Sequence, residues 1–222
     1  MTDNRTLRTL VQVFLVLLVL TFLLLTGIRM LLTDAFVKIE YNTPWFPEDT
    51  YGMTKSQRLE YAPIALEFLL NGAEPSFLGD LTFEDGTALY NQREVDHMVD
   101  VQVLTVAFIK VWYGTIVLLA AILIWAWRGG WWADLMQMLS TTGWVILVIL
   151  GTLVLLMLIS FDLVFTNFHA IFFKGDSWLF YYSDTLIRLF PLRFWQDAFG
   201  FAGVFTLAGG LTLWLGLRKK SR

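Results

Sequence analysis

The sequence predicts an all-α membrane protein with four transmembrane helices and an extracytoplasmic cap made of two connections between them. Hydrophobic residues make up 57% of the 222-residue chain, and the mean hydropathy is positive, which is unusual for a water-soluble domain. Crossing a bilayer takes about 20 helical residues, and four apolar stretches are long enough. They cover about 11–32, 101–127, 140–161 and 198–217.

The first apolar stretch resembles a signal peptide in one respect, because Arg5 and Arg8 precede it. It is longer than the apolar part of a signal peptide, and no small-residue cleavage site follows it. We therefore expect the first stretch to remain in the protein as a membrane anchor.

Positively charged residues predict the orientation, because short cytoplasmic segments of membrane proteins retain Lys and Arg. Basic residues precede the first stretch, and Arg128 lies between the second and third. The C-terminal tail is also basic, with Arg218, Lys219, Lys220 and Arg222. Both termini are therefore expected in the cytoplasm, which places 34–100 and 162–197 at the outer face of the cell membrane. These connections are too short for a separate soluble domain, so 1–222 is predicted to be a single membrane domain.

The charge and cysteine content exclude several classes of function. The connection 34–100 has thirteen acidic residues against four basic ones, and the whole chain has a net charge of −3. An acidic outer surface argues against a nucleic-acid partner. The chain contains no cysteine, which excludes thiol catalysis and cysteine-ligated metals.

Two elements are predicted inside the cap. The spacing at 54–57 is that of a capping box, and the apolar run after it stops at Gly72. This pattern predicts a short helix that begins at Pro63 or is bent there. The segment 81–89 is a candidate for a small hairpin that turns at Gly86.

The only two histidines of the chain are the candidates for proton transfer, because no other side chain present titrates near neutral pH. Asn91 and Glu94 have capping-box spacing, which predicts a helix that begins there and runs through His97 into the bilayer. Asp100 lies one turn below His97, so we expect this carboxylate to orient the imidazole.

The second histidine, His169, follows the third apolar stretch in an aromatic segment. If a helix continues there, Asp162 shares a face with His169, beside a stripe formed by Phe161, Phe165, Phe168 and Phe172. Trp178 and Trp195 continue the aromatic character further along the chain. The alternative is a structural one, because aromatic residues are generally enriched at membrane interfaces and a histidine there is often a packing residue.

Known motifs narrow the chemistry of the two histidines. Zinc binding by His97, His169 and a carboxylate lacks any closely spaced ligand motif such as HExxH. A serine hydrolase is disfavoured because the sequence has no GxSxG. Acid–base chemistry remains, on a substrate that brings its own nucleophile. An aromatic site at the membrane surface is suited to a lipid-bearing substrate.

Four segments of the chain carry a resemblance to a known family. They are 93–101 with His97, 165–173 with His169, and the downstream segments 186–191 and 194–197. Together they resemble the bacterial lipoprotein intramolecular transacylases, the Lit family. The resemblance extends over most of the chain and includes the four spans with a cap between the first two.

The resemblance implies an O-to-N acyl shift within one diacylated lipoprotein, which is the expected partner together with membrane lipid. The sn-2 acyl chain of the diacylglyceryl group moves to the α-amino group of the N-terminal cysteine and leaves the lyso form. His97 and His169 are then the catalytic residues, without a metal or cofactor, and which of them is the base stays open. Orienting or substrate-binding residues are expected among Arg93, Glu94, Asp100, Asp162, Phe165, Phe168, Phe172, Trp178 and Trp195.

Two other functions are compatible with the same residues. One is a non-enzymatic assembly or transport protein whose cap binds a partner. The other is a different lipid-processing membrane enzyme, which would act on bulk phospholipid.

Overall fold

The structure is a computed structural model that describes residues 5–218, and within that range it confirms the all-α class. The described residues form α1 Arg5–Leu31, α2 Asp34–Glu40, α3 Lys55–Asn71, α4 Ser76–Gly79, α5 Gln92–Arg128, α6 Trp132–Ile159, α7 Phe161–Phe172, α8 Thr185–Leu189 and α9 Leu192–Leu217. Three residues of the basic tail used to predict the orientation, Lys219, Lys220 and Arg222, lie outside the described residues.

Four helices, α1, α5, α6 and α9, are long and apolar enough to cross a membrane, by length and composition. This confirms the four predicted spans and a multi-pass membrane protein. The helix α5 has 37 residues and begins at Gln92, well before the predicted span at 101. The third span ends at Ile159, because Ser160 caps the separate, shorter apolar helix α7.

One compact unit, the membrane unit, contains most of the four long helices. It comprises the described parts of Met1–Ile28, Ile109–Ile159 and Gly200–Arg222. A Cβ atom at Gly143 would overlap the carbonyl oxygen of Gly210, so two helices approach each other here at small residues. Gln12 Nε2 donates to Thr142 Oγ1 at 2.9 Å, which gives these polar groups a partner in an apolar environment.

The second compact unit, the cap unit, comprises Arg29–Phe108 and Ser160–Phe199. It has its own hydrophobic core, in which Val37, Phe68, Leu78, Leu89 and Leu189 are at most 1% exposed. Two helices in this core, α2 and α8, are too short to give a periodic signal in the sequence. Whether the two units form the single domain predicted for 1–222 stays a prediction.

Both elements predicted for the cap are present. The capping box at 54–57 is confirmed, but α3 begins at Lys55 and runs through Pro63 without starting there. It ends before Gly72, whose φ of 68° is the left-handed conformation that glycine adopts at helix ends. The hairpin is confirmed in a minimal form, with one antiparallel bridge between Thr82 and Ala88.

Candidate active site

The N-terminal end of α5 fixes the backbone that carries His97. The predicted capping box is confirmed, because Asn91 N donates to Glu94 Oε2 at 2.8 Å and Glu94 N donates to Asn91 Oδ1 at 3.1 Å. The other carboxylate oxygen of Glu94 accepts a hydrogen bond of 2.7 Å from Leu186 N, at the start of α8. Through these bonds Glu94 joins the start of α5 to the start of α8. Its side chain is 1% exposed, so it is shielded from any substrate.

The imidazole of His97 lies against two phenylalanine rings. The ring centroids of Phe173 and Phe180 are 4.9 Å and 5.2 Å from that of His97. His97 Nδ1 is buried, and within residues 5–218 it has no hydrogen-bond partner. The side chain of Asp100 is exposed, so the expected orientation of His97 Nδ1 by this carboxylate is absent from the structure.

His169 lies on α7, whose first turn is capped by the hydroxyl of Ser160, an acceptor for Leu163 N at 3.3 Å. His169 Nδ1 is 2.8 Å from the carbonyl oxygen of Phe165, one turn earlier. A carbonyl oxygen only accepts, so Nδ1 must carry the hydrogen, and in the neutral ring Nε2 then carries the lone pair. His169 is therefore held in one tautomer.

The electrostatic environment of His169 favours its neutral form. Burial lowers the pKa of His169 below its ordinary value of 6.5, and the hydrogen bond to the Phe165 carbonyl opposes this change. Asp162 is exposed in the first turn of α7, and the bond of Nδ1 goes to a backbone carbonyl, so the expected orientation by Asp162 is absent at this atom. Within residues 5–218, no three His, Asp or Glu side chains are grouped to hold a metal ion.

Aromatic rings surround His169 and join it to the surroundings of His97. Phe165, Trp178 and Phe168 have ring centroids 4.2, 4.7 and 5.5 Å from that of His169. Phe173 lies 5.5 Å from His169 and also contacts His97, so one ring is shared by both histidines. We call the two imidazoles and these rings, together with Phe180, the histidine chamber.

Two of the predicted aromatic residues lie one layer further out. Phe172 is 4.9 Å from Phe168, and Trp195 is 6.1 Å from Phe165, by ring centroids. Phe173 and Phe180 were not predicted as site residues from the sequence. Phe173 follows His169 by four residues, a helical spacing from which a contact between them could have been predicted. Phe180 is far from His97 in the chain and is brought to it only by the fold.

The segment 173–180 covers His97 and is tied to α5 by Arg93. Arg93 Nη2 donates to the backbone oxygen of Asp176 at 2.5 Å and lies 3.5 Å from its carboxylate. The guanidinium is also 6.0 Å from the ring centroid of Phe180. The side chains of Arg93 and Asp176 are 44% and 83% exposed, so their ion pair contributes little to stability. Its importance is its position next to the chamber. Arg93 thus positions the segment that supplies Phe173, Trp178 and Phe180.

The fold and the site define an integral-membrane protein with two histidines in an aromatic chamber of its cap unit. The family model of the lipoprotein intramolecular transacylase Lit matches residues 12–195. The chain belongs to this family, and it is an acyltransferase. The family predicted from the sequence is thereby confirmed, and the non-enzymatic alternative is wrong.

Relatives and solved structures agree with this assignment. An uncharacterized protein of Aquifex aeolicus (strain VF5) is 30% identical over 199 residues, which is 86% of either chain. The in meso structure of the lipoprotein intramolecular transacylase Lit from Bacillus cereus matches with a TM-score of 0.75 and 19% identity, over 95% of this chain and 94% of that one. A variant of it with one histidine replaced by alanine has a TM-score of 0.65, with 18% identity over 96% and 93%. At these identities, the structures show a common fold.

Proposed function

We propose that the protein moves the sn-2 O-acyl chain of a lipoprotein's diacylglyceryl group to the α-amino group of the same N-terminal cysteine. The observation that carries the proposal is the histidine chamber, in which two imidazoles face apolar rings and no activated nucleophile accompanies them. The chain has no cysteine. Ser177 Oγ is buried without a hydrogen-bond partner in the described residues, so no histidine activates it.

In this mechanism His169 is the base. Its Nε2 carries the lone pair because Nδ1 donates to Phe165 O. An α-ammonium has a pKa of about 7.7 to 8.0, so near neutral pH part of the substrate carries the neutral amine that can attack. The amine nitrogen forms a bond to the ester carbonyl carbon, and the π electrons of that carbonyl move to its oxygen. The nitrogen, now positively charged, gives one proton to His169 Nε2.

The same proton completes the reaction. The tetrahedral intermediate collapses, the bond between the acyl carbon and the sn-2 oxygen breaks, and the imidazolium of His169 gives its proton to that oxygen. The Phe165 carbonyl stabilises the imidazolium while it exists. One N–H and one O-acyl group become one N-acyl and one O–H group, so the shift consumes neither water nor a cofactor.

His97 acts in this proposal as a neutral hydrogen-bond donor to the oxygen that becomes negative. A fixed donor in an apolar chamber stabilises that charge strongly, because no solvent has to reorganise. His97 Nδ1 has no protein partner in the described residues, which leaves it free for the substrate. The rings of the chamber hold the lipid so that the amine and the ester meet. Such positioning lowers the activation free energy, because the two reacting groups need not be brought together from solution.

We place the chamber at the outer face of the cell membrane, with both termini in the cytoplasm. The support is the distribution of Lys and Arg described above.

The test must locate an acyl chain, because substrate and product are isomers with the same mass. The protein is expressed in a bacterium without the activity, and the N-terminal lipopeptide of a reporter lipoprotein is fragmented by tandem mass spectrometry. We expect N-acyl fragments with the native protein and few or none with His169→Asn. Thr166→Ala, an exposed change on α7, is the matched control and should act like the native protein.

Three outcomes would contradict the proposal. Undiminished N-acyl product from both His97→Asn and His169→Asn would remove the histidines from the mechanism. A product heavier by one acyl chain would show intermolecular transfer. A change in bulk phospholipid composition would favour the other lipid-processing enzyme.

A further inference from the structure

Trp178 has a polar atom that the protein leaves unused. Its Nε1 is buried and has no hydrogen-bond partner in residues 5–218, although a buried donor without a partner costs free energy. The indole ring lies against His169, with centroids 4.7 Å apart and a tilt of 31°. An unsatisfied donor therefore lies next to the residue that we propose as the base.

The backbone around Trp178 is held on both sides. Gly175 has a φ of 60°, which allows the tight turn that precedes Trp178. Arg93 binds the backbone oxygen of Asp176, and Phe180 packs on His97. The indole therefore has a defined position before any substrate arrives, which is what a preorganised donor requires.

We propose that the Trp178 Nε1–H donates a hydrogen bond to the acyl carbonyl oxygen as it becomes an oxyanion. This inference rests on the proposed function and adds a catalytic residue to it. An indole N–H is a donor only and does not ionise, so it keeps its hydrogen throughout. The proton of the amine still travels through His169 to the sn-2 oxygen, and Trp178 contributes only to the stability of the intermediate.

The first test is Trp178→Phe in the full-length protein in lipid bilayers, with a synthetic diacylated lipopeptide as substrate. Phenylalanine keeps an aromatic ring but lacks the N–H. Removal of one oxyanion donor from an enzyme lowers kcat by roughly 10² to 10³, so we expect a loss of that size with KM nearly unchanged. An unchanged kcat would overturn the proposal, and a rise in KM alone would show that Trp178 only binds the substrate.

The chain offers a matched control in Trp131. Its Nε1 is likewise buried without a partner in the described residues, and it is 7% exposed, but it belongs to a hydrophobic cluster of the membrane unit. Trp131→Phe should leave kcat unchanged. A loss of kcat equal to that of Trp178→Phe would mean that removing any buried indole damages the fold, and it would overturn the assignment.

A second measurement does not depend on turnover or on a variant that folds. A lipopeptide analogue with a phosphonate at the sn-2 ester imitates the anionic tetrahedral intermediate. We expect the ¹⁵N-labelled indole signal of Trp178 to move downfield when the analogue binds, and that of Trp131 to stay in place. An unmoved Trp178 signal with the analogue bound would overturn the inference, even if the histidine variants support the proposed function. A native protein that leaves the lipopeptide unchanged would overturn both.

Discussion

The two histidines share an aromatic neighbour but differ in their polar surroundings. Phe173 contacts both rings. His169 Nδ1 is bonded to a backbone carbonyl, whereas His97 Nδ1 has no partner in residues 5–218. The difference teaches that one backbone contact fixes a tautomer that the residue type alone leaves open. Only His169 has a fixed tautomer, and only its Nε2 has a defined lone pair.

The helices that carry the two histidines also differ in the groups that hold their N-terminal ends. The start of α5 is held by the carboxylate of Glu94, which accepts hydrogen bonds from Asn91 N and Leu186 N. The start of α7 is held by the hydroxyl of Ser160. Thus His97 lies on a strongly tied helix end, and His169 on a helix that is positioned mainly by aromatic packing.

Replacing each histidine by asparagine should separate their roles and should give the largest effects. His169→Asn removes the proposed base, and general acid–base catalysis contributes about 10² to 10⁴ in rate, so we expect a loss toward the upper end. His97→Asn keeps an N–H donor and should lose less, about tenfold to 10². Single-turnover rates on the synthetic lipopeptide give the two values. Equal losses would contradict the division of roles, once circular dichroism has shown that both variants are folded.

The pH profile should report His169 and not His97. Because burial lowers the pKa of His169, the ring is neutral at pH 7, and protonation of this ring lowers kcat only when the pH drops below that pKa, under 6.5. The substrate adds a separate limb near the pKa of an α-ammonium, about 7.7 to 8.0, because only the neutral amine attacks the ester, and kcat should level off above that pH.

The more acidic limb, that of His169, should persist in His97→Asn, measured from pH 5 to 9 at saturating lipopeptide. If this more acidic limb were centred above pH 6.5, His169 would not be the buried base described here. Loss of the limb in His97→Asn would transfer the role to His97.

Glu94→Gln tests the tie at the start of α5. The glutamine keeps one oxygen, but it places an NH₂ group against the backbone N–H of Asn91 or Leu186. We expect the free energy of unfolding to fall by about 1–3 kcal/mol, the cost of a buried donor without a partner. Chemical denaturation in detergent measures this. Glu74→Gln, at an exposed acid of the cap unit, is the matched control and should leave stability unchanged.

Ser160→Ala should have the smallest effect. Loss of an N-cap hydroxyl costs about 1 kcal/mol, and the aromatic contacts of α7 remain. We expect faster hydrogen exchange in the first turn of α7 and unchanged exchange at the start of α5. Ser160→Asp, which restores a capping oxygen, should return the exchange rates to those of the native protein. Faster exchange at both helices would contradict the separate supports described above.

Local patterns in the sequence predicted much of the fold, because hydrophobic runs and capping boxes are local signals. The spans, the start of α5 just after Asn91 and the capping box of α3 all follow from residues within one or two turns. The short helices α2 and α8 were missed because their position depends on the cap core. Proline did not mark the start of α3, since the capping box at Thr54 begins the helix two turns earlier.

The candidate site was predicted in its histidines but not in their partners. Asp100 and Asp162 have helical spacing to His97 and His169, yet both side chains point outward to exposed positions. Spacing places a side chain on a face of a helix, but the packing of other segments decides which way the imidazole turns. For His97 these contacts come from the segment 173–180, and no local sequence pattern predicts where that segment packs.

The length of α5 has a consequence for the acyl chain itself. A helix of 37 residues is about 55 Å long, and the hydrocarbon of a bilayer is about 30 Å thick, so part of α5 stands above it. His97 precedes the predicted span at 101 by about one turn, or about 6 Å. A span that begins at 101, as predicted, would place His97 just outside the hydrocarbon, at the depth of a lipid ester. Extracting an acyl chain into water costs about 0.8 kcal/mol per CH₂. In the proposed reaction at that depth, the tail would stay dissolved in the bilayer while only its carbonyl changes partner.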